Sequence, residues 1–233
     1  MRHSRTASRQ RGFTLIEMSI VLIIFGILVG GGLLAMNPLL DRTRVRQTQA
    51  NMDQIEDALL LYVMRFQRLP CPADASQAAN AGQEARNAGG CNIGNADNGV
   101  IPWVTLGLPD TVSLDGWNRR FSYFVATPAA NALQRVGNVF PEYNNAAGGL
   151  EVRNGANLAT PDTDRAAYVL VSHGKNGEGA FPVGSTSRVG DRSAPEGDNT
   201  DSSNLFREDA GDDIVRWRQP SFLVHRCGAP CAP

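Results

Sequence analysis

The dominant feature of the hydropathy pattern is one uninterrupted apolar run. From Met18 to Met36 there are 19 residues without a charge, which matches the roughly 20 residues of helix that cross a hydrocarbon core. A removed secretory signal would have a shorter apolar core, roughly 7–15 residues, followed by an A-x-A-like site. "GLLAMNPLL" offers no such site, so the pattern predicts a retained span over 13–36. Pro38 lacks a backbone donor and is expected to interrupt or kink the helix that follows. Beyond it Val45, Met52, Ile55, Leu59, Tyr62 and Phe66 recur at three, four or seven residues. That is one helical stripe, over 37–67, with polar residues between. "LPCP" ends it. A helix from Phe13 to about Gln67 would be roughly 80 Å long.

The pattern then changes. Residues 73–99 are rich in Ala, Asn and Gly and read as a long loop or loosely ordered insertion. Short β-like runs follow: "GVIPWVTLGL", "RFSYFVA", "AAYVLVS" and "SFLVH", separated by Gly, Asn, Asp and Pro. Between the last two lies a long stretch of turn chemistry, 174–213, of a length that is usually functional or disordered. The expected fold class is α+β: a long N-terminal transmembrane-plus-amphipathic helix packed on a small antiparallel β-sheet with long loops. The expected organisation is a basic leader over 1–12, a transmembrane helix over 13–36, its amphipathic continuation over 37–67, and a globular domain over 68–233.

Charge adds a direction. The chain of 233 residues has a formal net charge of −1, so there is no global electrostatic case for nucleic acid. Arg2, Arg5, Arg9 and Arg11 lie in the first twelve residues, which hold no acid. Without them 18 basic residues face 23 acidic ones, a net of −5. The leader arginines favour a cytoplasmic N-terminus, although Arg42, Arg44 and Arg46 beyond the span, offset by Asp41, weaken the bias. All four cysteines, Cys71, Cys91, Cys227 and Cys231, lie past the span. An even set suits disulfides in an oxidising compartment, and the spacings fit no common zinc pattern. Three pairings are open; Cys71–Cys91 with Cys227–Cys231 closes two local loops.

"RGFTLIEMSIVLIIFGIL", residues 11 to 28, closely resembles the signal of type IV pilins and type II secretion pseudopilins: a basic leader ending in Gly, then Phe-Thr-Leu-Ile-Glu and an apolar helix. The resemblance implies that a prepilin peptidase cuts after Gly12 and that the new amine, on Phe13, is methylated. It makes Gly12 and Phe13 processing positions and Glu17 the assembly acid. The implied partners are that peptidase, other pilin or pseudopilin subunits, an inner-membrane assembly platform and the lipid bilayer. The implied location is the bacterial inner membrane, single-pass, with the C-terminal domain in the periplasm, and then the filament. The physics is consistent with the role. A carboxylate in lipid costs several kcal/mol, about 2.5–3.5 on insertion scales, so it needs a partner. A neighbour's Phe13 amine would neutralise Glu17 in the correct register. Gly26, Gly30, Gly31 and Gly32 fit either close helix packing or local unwinding when the subunit leaves the bilayer.

Weaker features lie further on. "DGWNRRFSYFV" (115–125) is similar to the segment leading into the sheet of major pseudopilins, with Asn118 where that family commonly has Gly; a turn at Asp115–Gly116 with Trp117 in the core accounts for it equally. "SHGKNGEGAF" (172–181) is similar to a pseudopilin loop whose following acidic segment binds calcium. That resemblance makes Asn176, Glu178, Asp212 and Asp213 candidate ligands, with Asp198, Asp201 and Asp209 nearby, against a reading as solvated turns; calcium takes six to eight oxygens. No other cofactor is implied. Enzyme signals are lacking: "GKNGEG" is no P-loop, and His173 and His225 belong to no constellation legible in sequence. Arg119–Arg120 and Arg216–Trp217–Arg218 are the basic–aromatic clusters that a single-stranded nucleic acid would require, and the net of −5 argues against that use. The expected function is that of a structural subunit, minor because the long loops add bulk awkward to repeat along a packed shaft. The alternative is a pilin-like adhesin or DNA-binding module displayed by such a filament.

Overall fold

The computed structural model describes residues 12–77, 82–87, 90–91, 98–126, 149–154, 161–190, 196–200, 203–208 and 210–227, without the side chains of 29–37 and 227. Its contacts divide the chain into two compact units, 1–42 and 43–233. Helix α1 (Leu15–Phe66) contributes to both.

In the first unit, residues 12–14 are non-helical and α1 begins at Leu15. Every large apolar side chain from Leu15 to Leu28 is exposed, Leu15 at 92%. Pro38 lies inside α1 and does not end it; one missing donor is confined to a single turn. Among the described residues no helix is long and apolar enough to cross a membrane. Side chains 29–37, the second half of the run that predicts a span over 13–36, lie outside that description, as does the reading of Gly30, Gly31 and Gly32.

The second unit holds strands β1 (Ala73–Asp74), β2 (Arg86–Asn87), β3 (Gly90–Cys91), β4 (Gly99–Val100), β5 (Arg119–Arg120) and β6 (Ser122–Val125). They are followed by β7 (Leu150–Arg153), β8 (Thr163–Ala166), β9 (Tyr168–Ser172), β10 (Phe181–Pro182), β11 (Leu205–Arg207), β12 (Ile214–Arg218) and helix α2 (Pro220–Cys227). The main sheet has the order β1-β4-β6-β9-β12, antiparallel throughout. β9 reads as a continuous apolar run because both its faces are covered. Tyr123 and Tyr168 share one face, where the Tyr168 hydroxyl donates to Glu56 of α1 (2.8 Å). Phe124, on the other face, packs its ring on Phe206 of β11, centroids 4.7 Å apart.

The helical stripe does what its spacing predicts. Met52, Ile55, Leu59 and Val63 are fully buried in one apolar cluster with Tyr123 and Tyr168, each contributing roughly 1.5–3 kcal/mol. Val45 is half-buried and Phe66 exposed, so the stripe fades at both ends. Two polar residues share the buried face. The Thr48 hydroxyl accepts from the Gly116 N–H (2.9 Å) and donates to the Arg44 carbonyl (2.9 Å). The Asn51 amide donates to the Leu114 carbonyl (2.7 Å). Such directional bonds fix the axial register of α1 against the 111–116 turn, which apolar packing alone does weakly. Gly116 is what lets the two backbones meet, since a Cβ there would collide with the Arg44 carbonyl group. Gly116→Ala is therefore expected to destabilise the second unit by about 1–3 kcal/mol or more, read as a lower denaturant midpoint at unchanged m-value.

Several expectations need correction. The fold is α+β, but not with one antiparallel sheet. A second sheet, β11-β7-β8, contains a parallel pair, β11 with β7, and two two-stranded ribbons, β10-β5 and β2-β3, complete the set. "SFLVH" lies in helix α2, with Leu223 and Val224 buried and Phe222 exposed. A five-residue apolar run carries no decisive period, and Pro220 at the first helical position suits a helix start. "GVIPWVTLGL" is strand only at Gly99–Val100, before Pro102. The 73–99 segment is not one loop: it holds β1, the β2-β3 ribbon and the start of β4. The 174–213 segment likewise contains β10, a short 3-10 turn at Glu196–Asn199 and β11.

Candidate functional site

The chain at Gly12 and Phe13 is exposed and in no regular element, immediately ahead of α1. A Cβ at residue 12 would meet no atom within 4 Å, so nothing in the fold demands glycine there. Phe13 is 84% exposed. One turn later, Glu17 folds back on Thr14. Both the Thr14 backbone N–H and its hydroxyl donate to Glu17 Oε2, each at 2.9 Å, and the Glu17 N–H donates to the Thr14 hydroxyl at 3.3 Å. This is a reciprocal capping box, and it sets the acid in the first turn, where the helix dipole favours negative charge. Sequence reasoning singled out Glu17 but missed Thr14; the signal was present as Thr-x-x-Glu at the mouth of an apolar run.

A model of the prokaryotic N-terminal methylation motif matches residues 7–33. The chain carries a type IV pilin-like precursor signal. Neither a curated protein nor a solved structure matches the chain. The prepilin motif thus ends well before the second unit, whose sites rest on geometry alone.

In the second unit of this prepilin-like chain, Cys71 and Cys91 are disulfide-bonded, Cα atoms 5.3 Å apart. The second expected pair lies outside the described residues: Cys231 is not described, and Cys227 is described only in its backbone, at the end of α2. Beside the disulfide, Glu84 gathers three partners. It accepts from Arg68 through both carboxylate oxygens (2.8 and 2.9 Å), from the Tyr62 hydroxyl (3.0 Å) and from the Cys71 N–H (3.0 Å). No local sequence pattern marks this node.

Of the four candidate calcium ligands, Asn176, Glu178, Asp212 and Asp213, the acids Glu178 and Asp212 stand near enough to raise Asp213. The Asn176 side-chain amide donates to Glu196 (2.9 and 3.0 Å), and its oxygen accepts from the Glu178 N–H (3.1 Å). Asp212 accepts from the backbone N–H groups of Lys175 and Asn176. Asp213 is buried and accepts from the Asn199 amide (2.8 Å). Among the described residues no three His, Cys, Asp or Glu side chains are grouped to hold a metal ion; Asp201 and Asp209 lie outside them.

Asp213 instead joins a constellation that the sequence did not reveal. Ser122 Oγ lies 2.8 Å from His173 Nε2, and His173 Nδ1 lies 3.7 Å from Asp213 Oδ1. The order is Ser–His–Asp, but Ser122 and His173 are sealed from solvent. Arg188 also donates to Ser122 Oγ (3.0 Å), and the His–Asp distance is too long for a hydrogen bond. A nucleophile needs access and an oriented base; this cluster has neither, and the pilin-type motif points to a structural subunit.

The cluster does predict a pH dependence. Burial, with the Arg188 and Arg119 charges, holds His173 well below its ordinary 6.5. Burial pushes Asp213 from 3.8 up to about 8, against the Asn199 bond and with help from Glu196, Asp212 and Glu178. A depressed histidine loses stability as pH falls below 6.5. A raised aspartate loses it as pH climbs from 3.8 to about 8. The two oppose each other between 3.8 and 6.5, and above 6.5 only Asp213 acts. Stability should therefore fall from pH 6.5 to about 8, by at most ~1.4 kcal/mol per unit. Asp213→Asn should flatten that limb in denaturation midpoints measured against pH.

Both basic–aromatic clusters are internal cross-links. Arg119 donates to the Gly174 carbonyl (2.8 Å). Arg120 pairs with Asp110 and stacks on Trp103, 3.8 Å from the ring centroid. On β12, Arg216 bonds Asp53 (2.5 Å) and Glu56 (3.4 Å) of α1, and Arg218 bonds Glu56 (2.9 Å). Trp217 points the other way and donates to Glu208 (2.6 Å). In the "DGWN" turn, the Trp117 and Arg119 N–H groups donate to Asp115 (2.9 and 3.0 Å), and Asn118 takes a positive φ of 65°. That is a conformation asparagine tolerates where glycine is usual. Trp117 is only half-buried; the core tryptophan is Trp103.

Proposed function

We propose that the chain is a structural subunit, and a minor one, of a type IV pilus or a type II secretion pseudopilus. It is stored in the bacterial inner membrane by a span over 13–36 and assembled into a filament once its leader is removed. The observation that carries this reading is the arrangement at the start of α1. An exposed, non-helical Gly12–Phe13 junction stands directly before a capped acid and a run of exposed apolar side chains from Leu15 to Leu28. Apolar surface of that extent needs lipid or the helices of other subunits.

The steps follow from the chemistry. A prepilin peptidase hydrolyses the Gly12–Phe13 peptide bond, leaving a carboxylate on the leader and a free amine on Phe13, which is then methylated. In the bilayer, Thr14 satisfies part of the hydrogen-bonding capacity of Glu17. In the filament a neighbour's Phe13 ammonium supplies the opposite charge, and the cost of an unpaired carboxylate favours subunits in correct register. The Cys71–Cys91 bond suits a domain held outside the cytoplasm. The bulk of the 73–99 and 174–213 segments supports a minor subunit over a repeated shaft subunit.

N-terminal peptide mass spectrometry on protein from membranes of the native host tests the reading. The expected result is a chain that begins at Phe13 and carries one added methyl group. An intact leader in cells whose peptidase is active would overturn it.

A further inference from the structure

We infer that Cys91 is the sulfur at which a partner dithiol or disulfide opens and closes the Cys71–Cys91 bond, with Cys71 as the thiolate that leaves and returns. A disulfide has two sulfurs. Exchange depends on which one an incoming thiolate reaches and on how readily the other departs. The fold separates these roles. Cys71 is fully buried, whereas Cys91, in the two-residue strand β3, is half-buried. An outside thiolate therefore meets Cys91.

Arg86 serves the departing side. Its Nη1 donates to Cys71 Sγ at 3.7 Å. A guanidinium beside a sulfur favours the thiolate, and a thiol of lower pKa leaves faster. The β2-β3 ribbon places the cation, since Arg86 pairs with Cys91 across it. One residue is thus the cross-strand neighbour of one cysteine and the donor to the other. Glu84, which accepts from the Cys71 N–H (3.0 Å), would oppose a charge on that sulfur, and Arg68 matches it at 2.8 Å. The backbone keeps Cys71 and Arg86 together without the disulfide. The Ala85 N–H donates to the Pro72 carbonyl (2.9 Å), and Ala73 bridges Glu84. A Cys71 thiolate therefore stays beside its cation once the bond is open.

The steps balance. An outside thiolate attacks Cys91 Sγ, the bond between the two cysteine sulfurs breaks, and its electron pair departs on Cys71 Sγ. One disulfide has replaced another, with no net oxidation. A second thiolate of the partner then attacks the partner's own sulfur in the mixed disulfide and releases Cys91 as a thiolate. The partner loses two electrons and the cysteine pair gains them. In an oxidising compartment the same steps run backwards: Cys91 attacks the partner's disulfide, and the Cys71 thiolate then attacks Cys91 Sγ and expels the partner. The inference does not depend on the filament reading, since it needs only an outside thiol.

The test uses the folded full-length chain in detergent. Reduced glutathione is added, the reaction is quenched with acid and a thiol-alkylating reagent, and the adducts are located by peptide mass spectrometry. Adducts on Cys91 should exceed those on Cys71 by at least about tenfold, because access and the leaving thiolate both favour that side. A second measurement follows the loss of the Cys71–Cys91-linked peptide in dithiothreitol. Arg86→Gln should slow that loss by about threefold, the effect of one pKa unit at a Brønsted slope of roughly 0.5. Arg86→Lys, which keeps the charge, should restore the rate. Comparable adducts on the two cysteines, or a majority on Cys71, would overturn the proposal, as would equal rates for Arg86→Gln and Arg86→Lys.

Discussion

Glu17→Gln is expected to be cut after Gly12 as efficiently as the wild-type chain and then to stall as a processed monomer. Glutamine serves at this position of a capping box as glutamate does, so the bonds from Thr14 persist and α1 starts where it did. Only the charge is removed. On the proposed mechanism that charge is what seeks the neighbour's Phe13 ammonium. Its cost in the bilayer, roughly 2.5–3.5 kcal/mol on insertion scales, corresponds to about a 100-fold loss of incorporation. The measurement is the ratio of processed chain in sheared filaments to that in membranes. Normal incorporation of Glu17→Gln would remove the electrostatic step from the mechanism. Thr14 gives the complementary comparison. Thr14→Ser retains the cap, whereas Thr14→Val loses it at a cost of about 1 kcal/mol.

The second large effect concerns the second unit. Removing the Cys71–Cys91 bond, as Cys71→Ser with Cys91→Ser, frees a loop of sequence separation 20. In the chain-entropy model that costs about 3 kcal/mol, a large part of a stability of roughly 5–15 kcal/mol. The loop should not detach, because Glu84 still holds the Cys71 backbone, Arg68 and Tyr62. Burial works against ionisation of Glu84, yet the bonds from Arg68, Cys71 and Tyr62 outweigh it and hold the carboxyl below its ordinary 4.5. A lowered acid contributes stability above pH 4.5 and loses it as pH falls further. The double variant should therefore show its midpoint shift in full at neutral pH and unfold soonest in acid. Equal midpoints for the double variant and the wild-type chain would sink the prediction.

What the sequence made legible was local. The apolar run, the Gly12–Phe13 junction, Glu17 and the stripe Met52–Ile55–Leu59 depend on neighbours within a few residues, and all are visible as pattern. The strands β6 and β9 were legible because both their faces are apolar and covered. β12 was not. "IVRWR" looks like a basic surface cluster until Asp53 and Glu56, some 160 residues earlier, appear against its arginines. His173 likewise read as a lone histidine beside a turn, because Ser122 and Asp213 reach it only through the sheet. "SFLVH" failed for the opposite reason: its five residues have no period of their own, and tertiary burial of Leu223 and Val224 decides the helix.

The ion pairs between β12 and α1 also set an order of events. Asp53 belongs to the early part of the chain and Arg216 comes 163 residues later. If the chain crosses a membrane from its N-terminal end, α1 waits with its carboxylates unmatched until nearly the whole polypeptide has emerged. β9, the fourth strand of the main sheet, lacks its β12 neighbour for as long. Contacts so distant along the chain form slowly. On that route the second unit would complete its fold only after the chain had crossed, and a chain truncated before Ile214 would leave β9 without its β12 neighbour, open to whatever protease or chaperone meets it first.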